Sequence, residues 1–492
     1  MLPLFAAAQL RVAKIFSDNM VLQREQPVHI WGTARPGSSV TIILGAEKHT
    51  LTVKNDAAWH GVFKKQKANR QPQSIIINSG NEKIELSNIL FGDIWLCAGQ
   101  SNMQFTMQEE MHYREETANS QQPLLRLYNP SYIGKNVFNQ PFTDSMLQRL
   151  NANDFYSTVP WQVCDSNTFK TMTAVGYYFG KTILQHENVP IGLINLAIGG
   201  CPIETFISTA VLQHNGTFAA KLKGNWLVND ALPLWVKERG YQNVGNAKNI
   251  NEMEWGPNHG FKPGFAFEAG IQPLLNLPIR GILWYQGESN AQEAARVNEY
   301  GQLQKLMMDD YRRQWHQPAL PFYWVQLSSI DSVKYKSQLW PQFRDEQRKL
   351  LYLEKNGGMA VCSDIGAQNN VHPANKKNVG ERLATWALHN TYGHRNSIPS
   401  GPLPVKATWH SGKVTVYFQY AGFLLQTEDK KPVRGFSLDG KNECAADIKN
   451  NTIIIPAAAK PLFIFYGWKP FTDANLVNAA LLPASTFKMI VQ

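Results

Sequence analysis

The chain has little charge, few cysteines and no long apolar run. Charged residues make up 17% of its 492 positions, against ~25% in an average soluble protein, while 43% are hydrophobic. That balance argues against long disordered segments and supplies apolar material for several cores. No run reaches the ~18 apolar residues needed to cross a bilayer, so no membrane span is expected. Five cysteines, Cys97, Cys164, Cys201, Cys362 and Cys444, leave one over from any internal disulfide set and show no metal-ligand spacing. Cys97 and Cys362 lie inside apolar runs and are expected to be buried thiols. The 12 histidines form no H-x-x-x-H pair near acids. The P-loop, the dinucleotide G-x-G-x-x-G and the G-x-S-x-G elbow are also missing, which disfavours nucleotide chemistry and the α/β-hydrolase arrangement.

The net charge is +10, from 48 basic and 38 acidic residues. The densest basic groups, Lys64-Lys65 with Lys67 and Lys376-Lys377, are short and separate, so a nucleic-acid surface is not expected. At the start, Ala6 and Ala8 give a small-x-small pattern before Gln9. This resembles a signal-peptidase site, without the basic region that normally precedes one. Export to the periplasm or the exterior is the expectation.

Three parts are legible. Residues 10–90 hold short β-prone runs, such as 28–32, 39–44 and 74–77, separated by Gly, Pro and Asn turns. They predict a β-sandwich-like domain. Residues 91–394 alternate buried-strand candidates (94–98, 191–198, 279–285, 321–327, 359–362) with helical stretches (175–186, 293–313, 341–353, 375–388). That alternation predicts an α/β domain on a parallel sheet. Within it, about 205–270 lacks clean periodicity and reads as an insertion or long loops. Residues 395–492 return to β.

Four strand candidates end in small or polar clusters, and ligands bind beyond the carboxyl ends of parallel strands. Gly99-Gln100-Ser101-Asn102-Met103 offers a serine hydroxyl and its own N–H at a helix start. Gly199-Gly200 lets a backbone N–H approach a ligand. Trp284-Tyr285-Gln286-Gly287-Glu288-Ser289-Asn290 brings two amides and a carboxylate. His372-Pro373 brings an imidazole able to act as general base. Taken singly, each is compatible with a helix cap, a turn or a surface histidine. Together they make up nucleophile, oxyanion donors and base, the parts of an acyl-transfer site.

These blocks, with Phe16-Ser17-Asp18-Asn19-Met20-Val21-Leu22-Gln23-Arg24 and Val371-His372-Pro373, resemble those of the SGNH (GDSL-like) hydrolases. Within that group the chain is similar to the sialate O-acetylesterases. The resemblance implies a flavodoxin-like parallel sheet flanked by two β domains, and hydrolysis of sugar O-acetyl esters through an acyl-enzyme without a cofactor. It implies Ser101 as nucleophile, His372 as base, and an oxyanion hole of Ser101 N–H, Gly200 N–H and the Gln286 amide. Arg344 is a candidate for meeting a substrate carboxylate, or else a structural ion pair. Acetylated xylan, or a catalytically silent glycan-binding role, are the alternatives.

Two departures stand out. Many relatives carry an acid three residues before the histidine, where this chain has Asn369. Asp364 then completes a triad, or a backbone carbonyl serves a Ser–His dyad. At Phe267-Glu268-Ala269-Gly270 relatives tend to carry a Tyr-Asn pair, which puts substrate contacts there in question.

Overall fold

The computed structural model describes residues 9–247 and 253–492. The suspected signal-peptidase pattern at Ala6 and Ala8 therefore lies outside the described residues.

The fold is organised by one long strand, β1, Glu82–Gly99. Its first half alternates exposed and buried residues, while residues 89–99 are almost wholly buried. This is the change expected when a strand leaves a half-solvated antiparallel sheet for a sheet covered on both faces. The first half pairs antiparallel with Asn69–Ser79, which in turn pairs with Ser39–Leu44. A smaller antiparallel sheet, Arg11–Val12, Val28–Thr33 and Ala58–Phe63, completes the N-terminal β layer. At the junction Val21–Gln23 runs parallel to β1, and Arg24 grips the buried Asp93 through Nε and Nη2, both at 2.9 Å.

The second half of β1 is the middle of the central sheet. The further strands are β2 (Gln122–Tyr128), β3 (Gln162–Cys164), β4 (Ile191–Asn195), β5 (Gly281–Tyr285), β6 (Phe322–Val325) and β7 (Gly357–Ala360). Their order is β3-β2-β4-β1-β5-β6-β7. All neighbours are parallel except the edge strand β3, which is antiparallel to β2. The chain is thus α/β, with a central mixed sheet and additional β sheets.

Among the described residues, five longer helices accompany the sheet: α1 (Ala174–Glu187), α2 (Leu234–Val244), α3 (Ala294–Gln314), α4 (Trp340–Lys349) and α5 (Lys377–Asn390). Side chains alternate across a strand, so Trp95 and Trp284 face opposite ways, Trp284 being in register with Ala98. On one face Trp95 meets Phe179 of α1 and accompanies Tyr392 just beyond α5. On the other, Trp284 donates to Tyr300 of α3, and Trp324 donates to the Gln347 carbonyl of α4. Tryptophan is chiefly core material here, with Trp95, Trp161, Trp226, Trp284, Trp324 and Trp340 fully buried. Cys97 and Cys362 are fully buried as well, and burial pushes the Cys362 thiol up to about 12.

The C-terminal residues form a four-stranded antiparallel sheet (Leu403–His410, Lys413–Gln419, Thr452–Pro456, Asp447–Lys449) beside a three-stranded one. They have their own apolar core around Val414, Val416, Ile453, Ile455, Ile464 and Phe487. The aperiodic stretch expected near 205–270 holds short helical turns and the three-turn helix α2.

Candidate active site

The carboxyl ends of β4, β1 and β5 are adjacent, and the site begins there. At Gly99 φ is +131°, and a Cβ would sit 2.2 Å from the Tyr285 carbonyl oxygen. Only glycine lets β1 and β5 stay this close while the chain turns out of the sheet. Gln100 N–H then donates to the same carbonyl at 2.9 Å. The Gln100 side chain accepts from Gly287 N–H (3.2 Å) and Ser289 N–H (3.3 Å), joining the two loops. Ser101 follows as the first residue of the short helix Ser101–Gln104.

Ser101 Oγ lies 2.7 Å from His372 Nε2, across 271 positions of sequence. The hydroxyl donates to the ring when the imidazole is neutral. Burial, helped by the charge of Lys376 and opposed by Glu109, pushes His372 down to about 4. The ring is therefore neutral at neutral pH, with a nitrogen lone pair free to accept a proton. Its backbone N–H donates to Asn370 Oδ1 at 2.9 Å, which shapes the loop.

Asp364 does not serve the imidazole. Its two carboxylate oxygens accept from Arg382 Nη1 and Nη2 at 2.7 and 2.6 Å, and Asn369 is exposed. Among the described residues no carboxylate contacts His372.

The loop after β4 is laced to the end of β1. Ile198 N–H donates to the Gly99 carbonyl at 3.0 Å, and Leu196 N–H to that of Cys97 at 2.9 Å. Gly200 has φ +75°, and a Cβ there would stand 3.1 Å from the Trp235 ring and 3.2 Å from that of Phe261. Its carbonyl accepts from Ser289 Oγ at 2.8 Å, and Trp235 Nε1 donates to that hydroxyl at 3.1 Å, fixing the peptide's orientation. The N–H groups of Ser101 and Gly200 find no acceptor among the described residues. Gly199 N–H, by contrast, is occupied by Tyr132 Oη at 2.9 Å.

Two sequence expectations require correction. Gln286 is at the expected strand end but fully buried. Its amide nitrogen is shared among Gln100 Oε1 (3.1 Å), the Cys201 carbonyl (3.2 Å) and Asn290 Oδ1 (2.8 Å). Its oxygen accepts from Tyr300 at 2.7 Å. With its hydrogens committed, Gln286 ties three loops together and has none to offer an oxyanion. Arg344 is fully buried too, and its guanidinium donates to the carbonyls of Gly467 (3.0 Å), Lys469 (2.5 Å) and Pro470 (3.2 Å). It clasps the C-terminal β region, with no carboxylate partner among the described residues. The Phe267 segment is likewise core, Phe267 packing on Tyr311.

Sequence reasoning missed what holds the His372 loop in place. Asn102 Nδ2 donates to the Val371 carbonyl (2.9 Å) and to Glu288 Oε1, and its Oδ1 accepts from Lys376 Nζ (2.6 Å). Lys376 is fully buried, over the rings of Phe105 and Tyr285. Burial pulls its ammonium down and pushes the Glu288 carboxyl up. One amide next to the serine thus fastens the residue next to the histidine. The motif pointed to Asn102 and Glu288, but a lysine at a helix start reads as a solvated cation.

Comparison with known proteins gives concordant results. Residues 264–389 match the family described as "Carbohydrate esterase, sialic acid-specific acetylesterase". The sialate O-acetylesterases of Pongo abelii and Homo sapiens are each 29% identical, over 87% of this chain and 80% of theirs. That of Mus musculus is 26% identical over 82% and 77%. A crystal structure of a carbohydrate acetylesterase from Xanthomonas citri superposes with a TM-score of 0.79 at 27% identity, covering 97% of this chain and 99% of that one. The chain is thus similar over most of its length to sialate O-acetylesterases, and its residues 264–389 carry the sialic acid-specific acetylesterase match.

Proposed function

We propose that the chain is a serine esterase that removes O-acetyl groups from sugars, with O-acetylated sialic acids as its substrate class. The carrying observation is the 2.7 Å contact between Ser101 Oγ and His372 Nε2; the N–H groups of Ser101 and Gly200, which find no acceptor among the described residues, support it. A serine hydroxyl is scarcely ionised at neutral pH and needs such a base. His372 takes the proton as Ser101 attacks the acetyl carbon. The oxyanion that forms is held by Ser101 N–H and Gly200 N–H, each donor worth ~3 kcal/mol in the transition state. The imidazolium then protonates the departing sugar oxygen, leaving acetyl-Ser101. Water, deprotonated by the same ring, attacks this ester; acetate leaves and Ser101 regains its proton. With Asp364 bound to Arg382, the pair acts as a dyad.

The strands that carry the site, β4-β1-β5-β6-β7, follow the order 2-1-3-4-5 when numbered among themselves along the chain. This is the flavodoxin-like order, and it supports the SGNH assignment, with β2 and β3 added at one edge. The division into 10–90, 91–394 and 395–492 belongs to the same proposal. The separate C-terminal core supports its last boundary, whereas β1 runs unbroken across the first.

Wild type and Ser101→Ala are compared on O-acetylated sialic acid, acetylated xylan and p-nitrophenyl acetate. The proposal expects hydrolysis by wild type, fastest on the sialic acid, and loss in the variant. Equal slow rates from both proteins would leave a glycan-binding protein, and preference for xylan would reassign the substrate.

A further inference from the structure

The corrected role of Arg344 leaves the site without the cation that sequence reasoning supplied, but a different arginine stands near it. Helix α2 carries Trp235 and Arg239 on one face, four residues apart. The Arg239 guanidinium carbon lies 5.1 Å from the Trp235 ring centroid and 5.3 Å from that of Phe138. Its Nε and Nη1 are shielded from solvent and find no acceptor among the described residues. This is not a surface charge of the ordinary kind. Neighbouring Lys237 pairs with Asp230 at 2.7 Å, whereas Arg239 has no acidic partner among the described residues.

The pocket around it is lined by Tyr132, Asn136, Phe138, Trp235, Asn243 and His259, with no aspartate or glutamate, and closes at Gly199–Gly200. His259 is fully buried and held neutral, its ring pushed down to about 3 by burial with the Arg239 charge adding to it. It does not compete as a cation. Trp235 both flanks Arg239 and packs against Gly200, the residue whose N–H is proposed to meet the reacting carbonyl. The guanidinium thus stands one indole ring from the chemistry, at a distance set by tryptophan rather than by a mobile loop.

A guanidinium with buried, unused N–H groups is costly unless something accepts from it. Its planar fork matches a carboxylate, and a guanidinium against aromatic rings is weakly hydrated. We propose that Arg239, clamped between Trp235 and Phe138, is the subsite for a carboxylate of the substrate, so that the enzyme selects acetylated sugar acids over neutral acetylated sugars. This rests on the esterase reading for its orientation, but the binding it asserts is measurable without any turnover.

The test uses the full chain as Ser101→Ala, with and without Arg239→Met. Ligands are N-acetylneuraminic acid and its methyl ester, titrated by calorimetry. The acid is expected to bind at least 10-fold more tightly than the ester, and Arg239→Met to erase the difference; Arg239→Lys, which keeps the charge, restores part of it. In the Ser101 background, Arg239→Met raises KM for O-acetylated sialic acid at least 10-fold, with p-nitrophenyl acetate turnover within twofold of wild type. Equal affinity for acid and ester in the parent protein overturns the proposal, even in an active esterase. So does a Met variant that loses p-nitrophenyl acetate activity and thermal stability together, with Lys failing to rescue, because that marks a packing role. If no ester is cleaved yet the acid binds preferentially, the subsite stands and the esterase reading fails.

Discussion

Replacing Asp364 by alanine separates catalysis from stability. The carboxylate is held bidentately by Arg382, with side chains 12% and 11% exposed. Removing one partner of a buried ion pair costs about 3–5 kcal/mol. Here the pair is not fully enclosed, and Arg382 keeps the Val361 carbonyl at 2.7 Å. We expect a loss nearer ~2–3 kcal/mol, read as a lower urea midpoint with unchanged slope. Activity should behave otherwise. If an aspartate oriented the imidazole, its loss would lower kcat by ~10⁴-fold. In the dyad, kcat on p-nitrophenyl acetate at 25 °C changes by less than about 10-fold, under ~1.4 kcal/mol of barrier. The assay is kcat on protein shown to be folded by circular dichroism. A thousandfold loss in folded enzyme would refute the assignment of Asp364 to Arg382 alone.

Further outcomes follow from the same geometry. The acid limb of kcat/KM should fall near pH 4, because the active form is the neutral ring and His372 is pushed down to about 4; a limb between 6 and 7 contradicts this. Lys376→Met removes a charge that depresses the ring and should move that limb upward in pH, whereas a lower limb would reverse the sign of the argument. Gly200→Ala, forced to hold φ +75° against Trp235 and Phe261, should cost ~10²–10³ in kcat by displacing a hole donor; near-wild-type turnover removes Gly200 from the hole. Arg344→Met should destabilise the protein, since three carbonyls of residues 467–470 lose their donor, and leave KM for acetylated sialic acid unchanged; a tenfold rise in KM would return Arg344 to the substrate.

The sequence was most legible where periodicity and chemistry coincided. The helices expected at 175–186 and 293–313 appear as Ala174–Glu187 and Ala294–Gln314, since long amphipathic stretches are set by local pattern. The strand ends behind Ser101, Gly200 and Gln286 were visible because buried parallel strands read as apolar runs that stop abruptly. Strand β7 begins at Gly357, earlier than its apolar signal, because Gly357 and Gly358 pair in the sheet without supplying side chains. Strand β1 extends back to Glu82 because one chain segment serves two sheets, and only the half buried on both faces is apolar. What stayed hidden depends on distant partners. Gln286 and Arg344 have the right chemistry for substrate contact, yet spend it on loops and carbonyls far away in sequence. Lys376 gains its role only from Asn102, 274 residues distant. Arg239 sits where periodicity was weakest, in a segment that read as loop.

Which hydroxyl becomes acylated decides whether Ser101 is the nucleophile. Treatment with a serine-directed phosphonate, followed by peptide mass spectrometry, should place a single adduct on Ser101 and lose it in His372→Ala. An adduct on another serine, or inactivation that leaves Ser101 unmodified, would contradict that assignment.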